Sequence, residues 1–232
     1  MKLCIAPLLL LASPALAQPA PGRTVAVGSF DKIRVGGPFE VHVATGSPRA
    51  TIGGDPRAAD GVAVRVDGTT LSVRKGTGGW GEQPHGGAGP IVVTLSTPGL
   101  VSASVAAGGR MTIARMRGMR IDVTVGGSGS LTLDAADTDQ LNATLIGTGR
   151  LTLAGRVARA RLVSSGQGAI DATRLEVGDL IVHLDGVGET RAAARYTAQV
   201  TNTGLGTVTI AGPAKCRVDA AAGGPVVCGT PR

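Results

Sequence analysis

Apolar and polar residues alternate along most of this chain, and paired glycines interrupt the alternation at regular intervals. The stretch LNATLIGTGRLTLAG, residues 141–155, is typical: two alternating runs separated by Gly147-Thr148-Gly149. Alternation with a period of two places successive side chains on opposite faces of a strand and predicts half-buried β-structure. The second glycine of each pair serves as a marker, giving Gly109, Gly129, Gly149, Gly168, Gly188, Gly206 and Gly224, spaced by 20, 20, 19, 20, 18 and 18 residues. A period near 20 residues predicts stacked units of one architecture rather than a mixed globular fold.

Columns aligned on the markers test this. At 8, 6 and 4 residues before each marker, and 2 and 4 after it, 32 of 35 residues are apolar; the exceptions are Ser164, Thr190 and Asn202. At the intervening positions, 7 and 5 before and 3 after, only Ile181, Val163 and Val227 of 21 are apolar, and Thr112, Thr132, Thr152 and Thr209 share one column. One such strand cannot bury its apolar side alone. A coil in which each winding pairs in parallel with the next buries all of these sides in one interior. Stacked threonines suit the outer surface of that ladder. The expectation is an all-β fold: a single-stranded parallel β-helix, right-handed because the six-residue repeat of left-handed coils is not visible, with about seven rungs and an irregular N-terminal β cap. The recurring glycines are then corners, where φ > 0 is needed. A dinucleotide loop would occur once and lead into a helix. The calcium repeat G-G-x-G-x-D would need aspartate where Gly126-Gly127-Ser128-Gly129-Ser130 is followed by Leu131.

The front of the chain is less regular. Residues 1–17 read as a secretory signal peptide: Lys2, an apolar run from Leu3 to Ala12, and Ala15-Leu16-Ala17 as a cleavage site. The run is too short to span a membrane. Residues 18–28 read as a linker, 29–100 as N-terminal strands and cap, and 101–229 as the repetitive rungs, with 29–229 one continuous domain. Strands are expected at Phe30–Val35, Phe39–Val43, Val62–Val66, Leu71–Val73 and Ile91–Leu95. Residues 75–90, KGTGGWGEQPHGGAGP, form a long glycine-rich loop whose Trp80 and His85 are a candidate binding loop.

FDKIRVGGPFEVHVATG, PIVVTLSTPGLVSASVAAGG and the serial GSGSL, GTGRL and GQGAI turns together resemble the GIN domain family of auto-transporter adhesin heads over residues 28–229. The resemblance implies a β-helical fold and a cell-envelope setting, and it brings no catalytic residues. Ala107 and Ala222 depart from it, standing where first glycines of a pair would be.

Composition narrows the function. The formal charge is +7, mostly arginine spread along the chain, and aromatics make up 2%. A nucleic-acid module wants basic clusters interleaved with stacking aromatics, so no nucleic-acid partner is expected. After signal removal Cys216 and Cys228 remain, and in an oxidising compartment they are expected to pair, fastening the last rung from inward positions. No Cys/His spacing suits a metal, since His42, His85 and His183 are dispersed. No metal, cofactor or catalytic residue is therefore expected.

The best acidic cluster is Asp134, Asp137 and Asp139. One period before Asp137 stands Arg117, and one after Asp139 stands Arg159, so charge ladders are expected rather than a general acid. Asp171 and Arg191 should pair likewise. Ser164 and Asn202, both inward, need internal hydrogen bonds. The sequence thus points to an exported, non-enzymatic scaffold or adhesin-like binding module of a Gram-negative periplasm or cell surface. Its partner would be an envelope protein or polysaccharide. A carbohydrate-active β-helix enzyme is the alternative.

Overall fold

A computed structural model describes residues 22–54, 59–76 and 90–230. Strands run β1 (Arg23–Val25), β2 (Lys32–Gly36), β3 (Glu40–Thr45), β4 (Arg49–Gly53), β5 (Val62–Asp67), β6 (Thr70–Lys75), β7 (Val92–Thr97), β8 (Ser102–Ala106) and β9 (Arg110–Ile113). They continue as β10 (Met116–Gly127), β11 (Ser130–Gly147), β12 (Arg150–Gly166), β13 (Ala169–Gly186), β14 (Glu189–Asn202), β15 (Thr207–Ala211), β16 (Lys215–Asp219) and β17 (Val226–Thr230). Stacked parallel strands form a β-solenoid of about six turns. That is slightly fewer than the seven rungs expected.

The long strands bend around corners, so the coil has three faces. The first face stacks β6, β2, β8, β10, β11, β12, β13, β14 and β16 in parallel. The second stacks β7, β3, β9, β11, β12, β13, β14, β15 and β17. The third is formed by residues 116–120, 136–140, 155–159, 174–179 and 194–197.

Register follows the sequence columns: Ile121, Leu141, Ala160, Leu180, Ala198 and Cys216 lie opposite one another in turn. All but six of the 35 inward positions are buried. Each buried Leu or Ile side chain contributes about 1.5–3 kcal/mol, whereas an exposed ion pair contributes at most about 1 kcal/mol. The apolar columns therefore decide the register, and the outer charges follow it. Thr112, Thr132 and Thr152 do stack on the outer surface. Asn202 satisfies itself inside the coil: its Nδ2 donates to Gly206 O at 2.8 Å and its Oδ1 accepts from Gly204 N at 3.1 Å. The Ser164 and Thr190 hydroxyls are buried without a hydrogen-bond partner, so the internal bond expected of Ser164 is not made.

The two glycines of a corner have different jobs. Gly147 has φ of 112°, a conformation side chains avoid. Gly149 turns no such corner; a Cβ there would run into Gly129 O of the winding before it and stand 3.0 Å from Val125 Cγ1. The first glycine thus bends the chain, and both let adjacent windings touch, since a Cβ on Gly147 would stand 2.7 Å from Gly127 O. Ala107 takes the bending role with φ of 55°, in the unfavourable left-handed region.

Stack order and chain order part company at the N-terminal end. The layer of β2 and β3 lies between that of β6 and β7 and that of β8 and β9. Antiparallel β5 on β6, β4 on β7 and β1 on β4 then close this end. The segment expected as linker thus contributes β1, and β4 was not foreseen. At the other end, the disulfide joins Cys216 of β16 to Cys228 of β17, with Cα atoms 6.5 Å apart. The inward burial expected of the two cysteines is not found: Cys216 is exposed and Cys228 half-buried. Among the described residues no further strand pairs with β16 or β17 to cover them.

Three outcomes are expected in denaturant unfolding and hydrogen exchange. Ala107→Gly raises stability by about 0.5–1 kcal/mol, and Gly149→Ala lowers it by about 1–3 kcal/mol through overpacking. Replacing both cysteines by alanine costs about 3 kcal/mol for a loop of this length, and exchange accelerates in residues 211–230 while β11–β13 stay protected.

Candidate surface groove

The third face carries a large concavity, a trough of about 1160 Å³. Its floor is an outward row of Met119, Asp139, Ala158, Gly178 and Tyr196, one from each successive winding. Small residues occupy the middle and large ones the ends. Met119 is 82% exposed and Tyr196 59% exposed. A Cβ on Gly178 would stand 3.5 Å from Tyr196 Cδ2, so the ring lies along the glycine. The Arg195 guanidinium lies 5.6 Å from the centre of that ring, within cation–π range. At about 4.8 Å per winding, the two ends of the row are roughly 19 Å apart.

Charge along this face alternates by winding. Arg117 and Arg120 are followed by Asp137 and Asp139, then Arg156 and Arg159, then Glu176 and Asp179, then Arg195. Arg117 Nη2 meets Asp137 Oδ2 at 2.8 Å, and Arg156 Nε meets Glu176 Oε2 at 3.2 Å. Arg120 Nη2 donates to Gln140 Oε1 at 2.9 Å, and Thr197 Oγ1 donates to Asp179 Oδ1 at 2.6 Å. Cross-strand neighbours of opposite sign are favourable on a parallel stack, and equal signs are not.

Of the acidic cluster singled out in the sequence, Asp137 and Asp139 line the trough and Asp134 does not. Asp137 pairs with Arg117 as expected. Asp139 does not stack on Arg159: a register shift between Leu133 and Ala136 places Gln140 opposite Arg159 and leaves Asp139 beside Ala158. Asp171 and Arg191 are register partners, but Arg191 Nη2 goes to Glu189 Oε1 at 2.7 Å. Burial pushes the Asp171 carboxyl up. Hydrogen bonds from the Thr173 hydroxyl and amide, with Arg191 and Arg174 nearby, outweigh this and hold it below the usual carboxylate value. Trp80 and His85 lie outside the described residues. His42 sits beside Glu40 at 3.2 Å, and His183 lies between Val163 and Thr201. Among the described residues no three His, Cys, Asp or Glu side chains converge.

General acid–base chemistry needs a carboxyl group in an apolar pocket or beside a like charge. Asp137 and Glu176 keep 61% and 54% of their side-chain surface exposed and are held by arginines. The face can hold a ligand against fixed charges and one aromatic ring; it lacks a buried acid.

The family described as "Putative auto-transporter adhesin, head GIN domain" matches residues 29–214. The chain belongs to the GIN domain family. Solved structures share its fold. A "putative adhesin" from Bacteroides fragilis superposes with a TM-score of 0.77 at 19% identity, covering 89% of this chain and 95% of its own. A second, from Parabacteroides merdae, gives 0.66 at 16% identity, over 89% and 92%. A "putative lipid binding protein" from Parabacteroides distasonis gives 0.66 at 16%, over 90% and 93%. No curated protein matches the chain. At these identities the likeness concerns the fold of the GIN domain alone. No helix among its described residues is long and apolar enough to cross a membrane.

The trough's row members, Met119, Ala158, Gly178, Tyr196 and, in its role, Asp139, were not legible in the sequence. They stand 10, 10, 9, 10 and 8 residues after successive markers when taken in chain order with Asp139 second. That drift hides the column. A search for exposed apolar residues on a fixed period would have missed it, and only alignment of the third-face strands recovers it.

A folded-state carboxyl held below its ordinary value stabilises the protein above the unfolded pKa, and the contribution is lost as pH falls through the folded one. Asp171→Asn should therefore flatten the acid limb of a melting temperature–pH profile and leave the profile above neutrality parallel to that of the wild type.

Proposed function

We propose that this GIN domain is a non-enzymatic, adhesin-like binding module of the cell envelope that holds an extended polysaccharide along its third face. The observation that carries the reading is the trough itself. It runs along the coil axis across five windings, with alternating fixed charges and an exposed tyrosine at one end. Adjacent windings are locked by backbone hydrogen bonds, so its groups are positioned before a ligand arrives. Preorganisation of that kind limits the entropy lost on binding. A tyrosine with a neighbouring arginine offers a flat apolar surface with a polar rim, suited to a sugar ring.

The family and the described folds of its neighbours support the adhesin-like role. Export through the signal-like segment at residues 1–17, to the periplasm or surface of a Gram-negative cell, belongs to the same proposal, and the disulfide supports an oxidising compartment. The loop containing Trp80 and His85 is proposed as an accessory contact.

A glycan array of envelope and capsular polysaccharides tests the reading, followed by titration of any hit. Tyr196→Ala and Ala158→Trp should each weaken binding about tenfold or more, equivalent to roughly 1.4 kcal/mol, while melting temperature stays within about a degree or two, as for other surface substitutions. Binding by the wild type that both variants leave untouched overturns the placement on the third face. New reducing ends or unsaturated products from the polysaccharide overturn the non-enzymatic reading.

A further inference from the structure

The inward columns stay buried through the coil and then fail together in one place. Of the six inward positions that are not buried, five are Cys216, Val218, Ala220, Val226 and Cys228, all in the last winding. Val218 is 44% exposed although its column partner Val200 is fully buried. Strand β16 pairs on one side only, with β14, and β17 only with β15. Their other sides present unpaired backbone N–H and C=O groups, the arrangement that invites another strand. A hollow of about 320 Å³ lies against this edge, lined by Gln199, Val200, Thr201, Arg217, Val218 and Asp219. At the opposite end antiparallel β5 adds to β6, β4 to β7 and β1 to β4; β5 and β1 are edge strands too, but Ala50, Ile52 and Val62 stay buried there.

We infer that the C-terminal end of the coil is an interface for a second copy of this chain, joined tail to tail by antiparallel pairing of β16 with its counterpart. The inward columns lose their burial together only at this end, so two copies meet through like ends. A contact between like ends is two-fold and closes at the dimer instead of growing into a filament. The edge is self-complementary in that orientation. Pairing centred on Val218 sets Arg217 of each copy opposite Asp219 of the other and packs the two valines together over the exposed core. Cross-strand pairs of opposite sign and apolar pairs are both favourable, where a parallel arrangement would oppose like charges. The last winding, residues 211–228, is close to the roughly 20 residues per side of a standard interface. The Cys216–Cys228 bridge holds β16 and β17 together at this end and keeps the edge in shape for pairing.

Sedimentation equilibrium of the oxidised protein over a wide concentration range reads the outcome. The wild type should dimerise. Arg217→Asp and Asp219→Arg, each placing like charges opposite one another, should weaken the dimer at least tenfold. The double exchange Arg217→Asp/Asp219→Arg should restore it. Circular dichroism and hydrogen exchange over β10–β13 should be unchanged in all three, since a terminal winding contacts only its neighbour. A wild type that stays monomeric at every concentration overturns the proposal. So does a dimer indifferent to the single reversals, or one that the double exchange fails to restore. Loss of the groove's ligand in Tyr196→Ala has no bearing on this result, which separates it from the binding reading.

Discussion

Every winding of this protein is held at backbone distance from the next, and that spacing constrains all else. Parallel ladders satisfy the amides of one layer with the carbonyls of the layer below, and the close approach must continue through the corners as well as the faces. Gly149 shows how strict this is: the carbonyl of Gly129 occupies the place a side chain would need. The same contact recurs where Gly168 meets Gly149. Between the corners the buried columns of Leu, Ile and Val give the stack its cohesion. The glycine-lined corners let that cohesion act at full strength, because one wedge would splay every layer beyond it.

The outer surface inherits this spacing. Residues at equivalent positions of neighbouring windings stand about 4.8 Å apart, so like charges cannot be stacked without cost. On the third face the solution is alternation by layer, from Arg117 and Arg120 to Asp137 and Asp139 and onward. This explains why Asp137 and Glu176, lying in a concave groove, each meet a guanidinium group of the neighbouring layer. The trough exists because the middle of one row is built from Ala158 and Gly178 while Met119 and Tyr196 stand up at its ends.

The repetitive coil was legible in the sequence because the first two faces keep a constant offset from the marker glycines. Leu131, Leu151 and Ile170 lie opposite one another as their common position two residues after a marker requires. The third face was not, because register shifts fall between it and the second face, at Leu133/Ala136, Thr152/Ala154 and Ala172/Val177. A fixed count therefore predicted an Asp139–Arg159 pair that a single slipped residue removes. The cysteines were placed in the correct columns, but a column implies burial only while another winding follows. The insertion of β2 and β3 between later strands left no periodic trace at all, since alternation specifies which side of a strand is apolar and not which strand lies beside it.

That insertion has a bearing on the order of assembly. The layer containing Ile33, Val35, Val41 and Val43 is flanked on one side by residues 70–97 and on the other by residues 102–113. When the chain becomes available N-terminus first, its earliest strands have no complete set of neighbours until Ile113 has followed. The contacts that begin the coil are thus distant in sequence and slow to close. Each later winding needs only the one made just before it and can be added as soon as it appears. Assembly of this molecule therefore has a single long wait near its start, followed by a steady zippering toward the C-terminus.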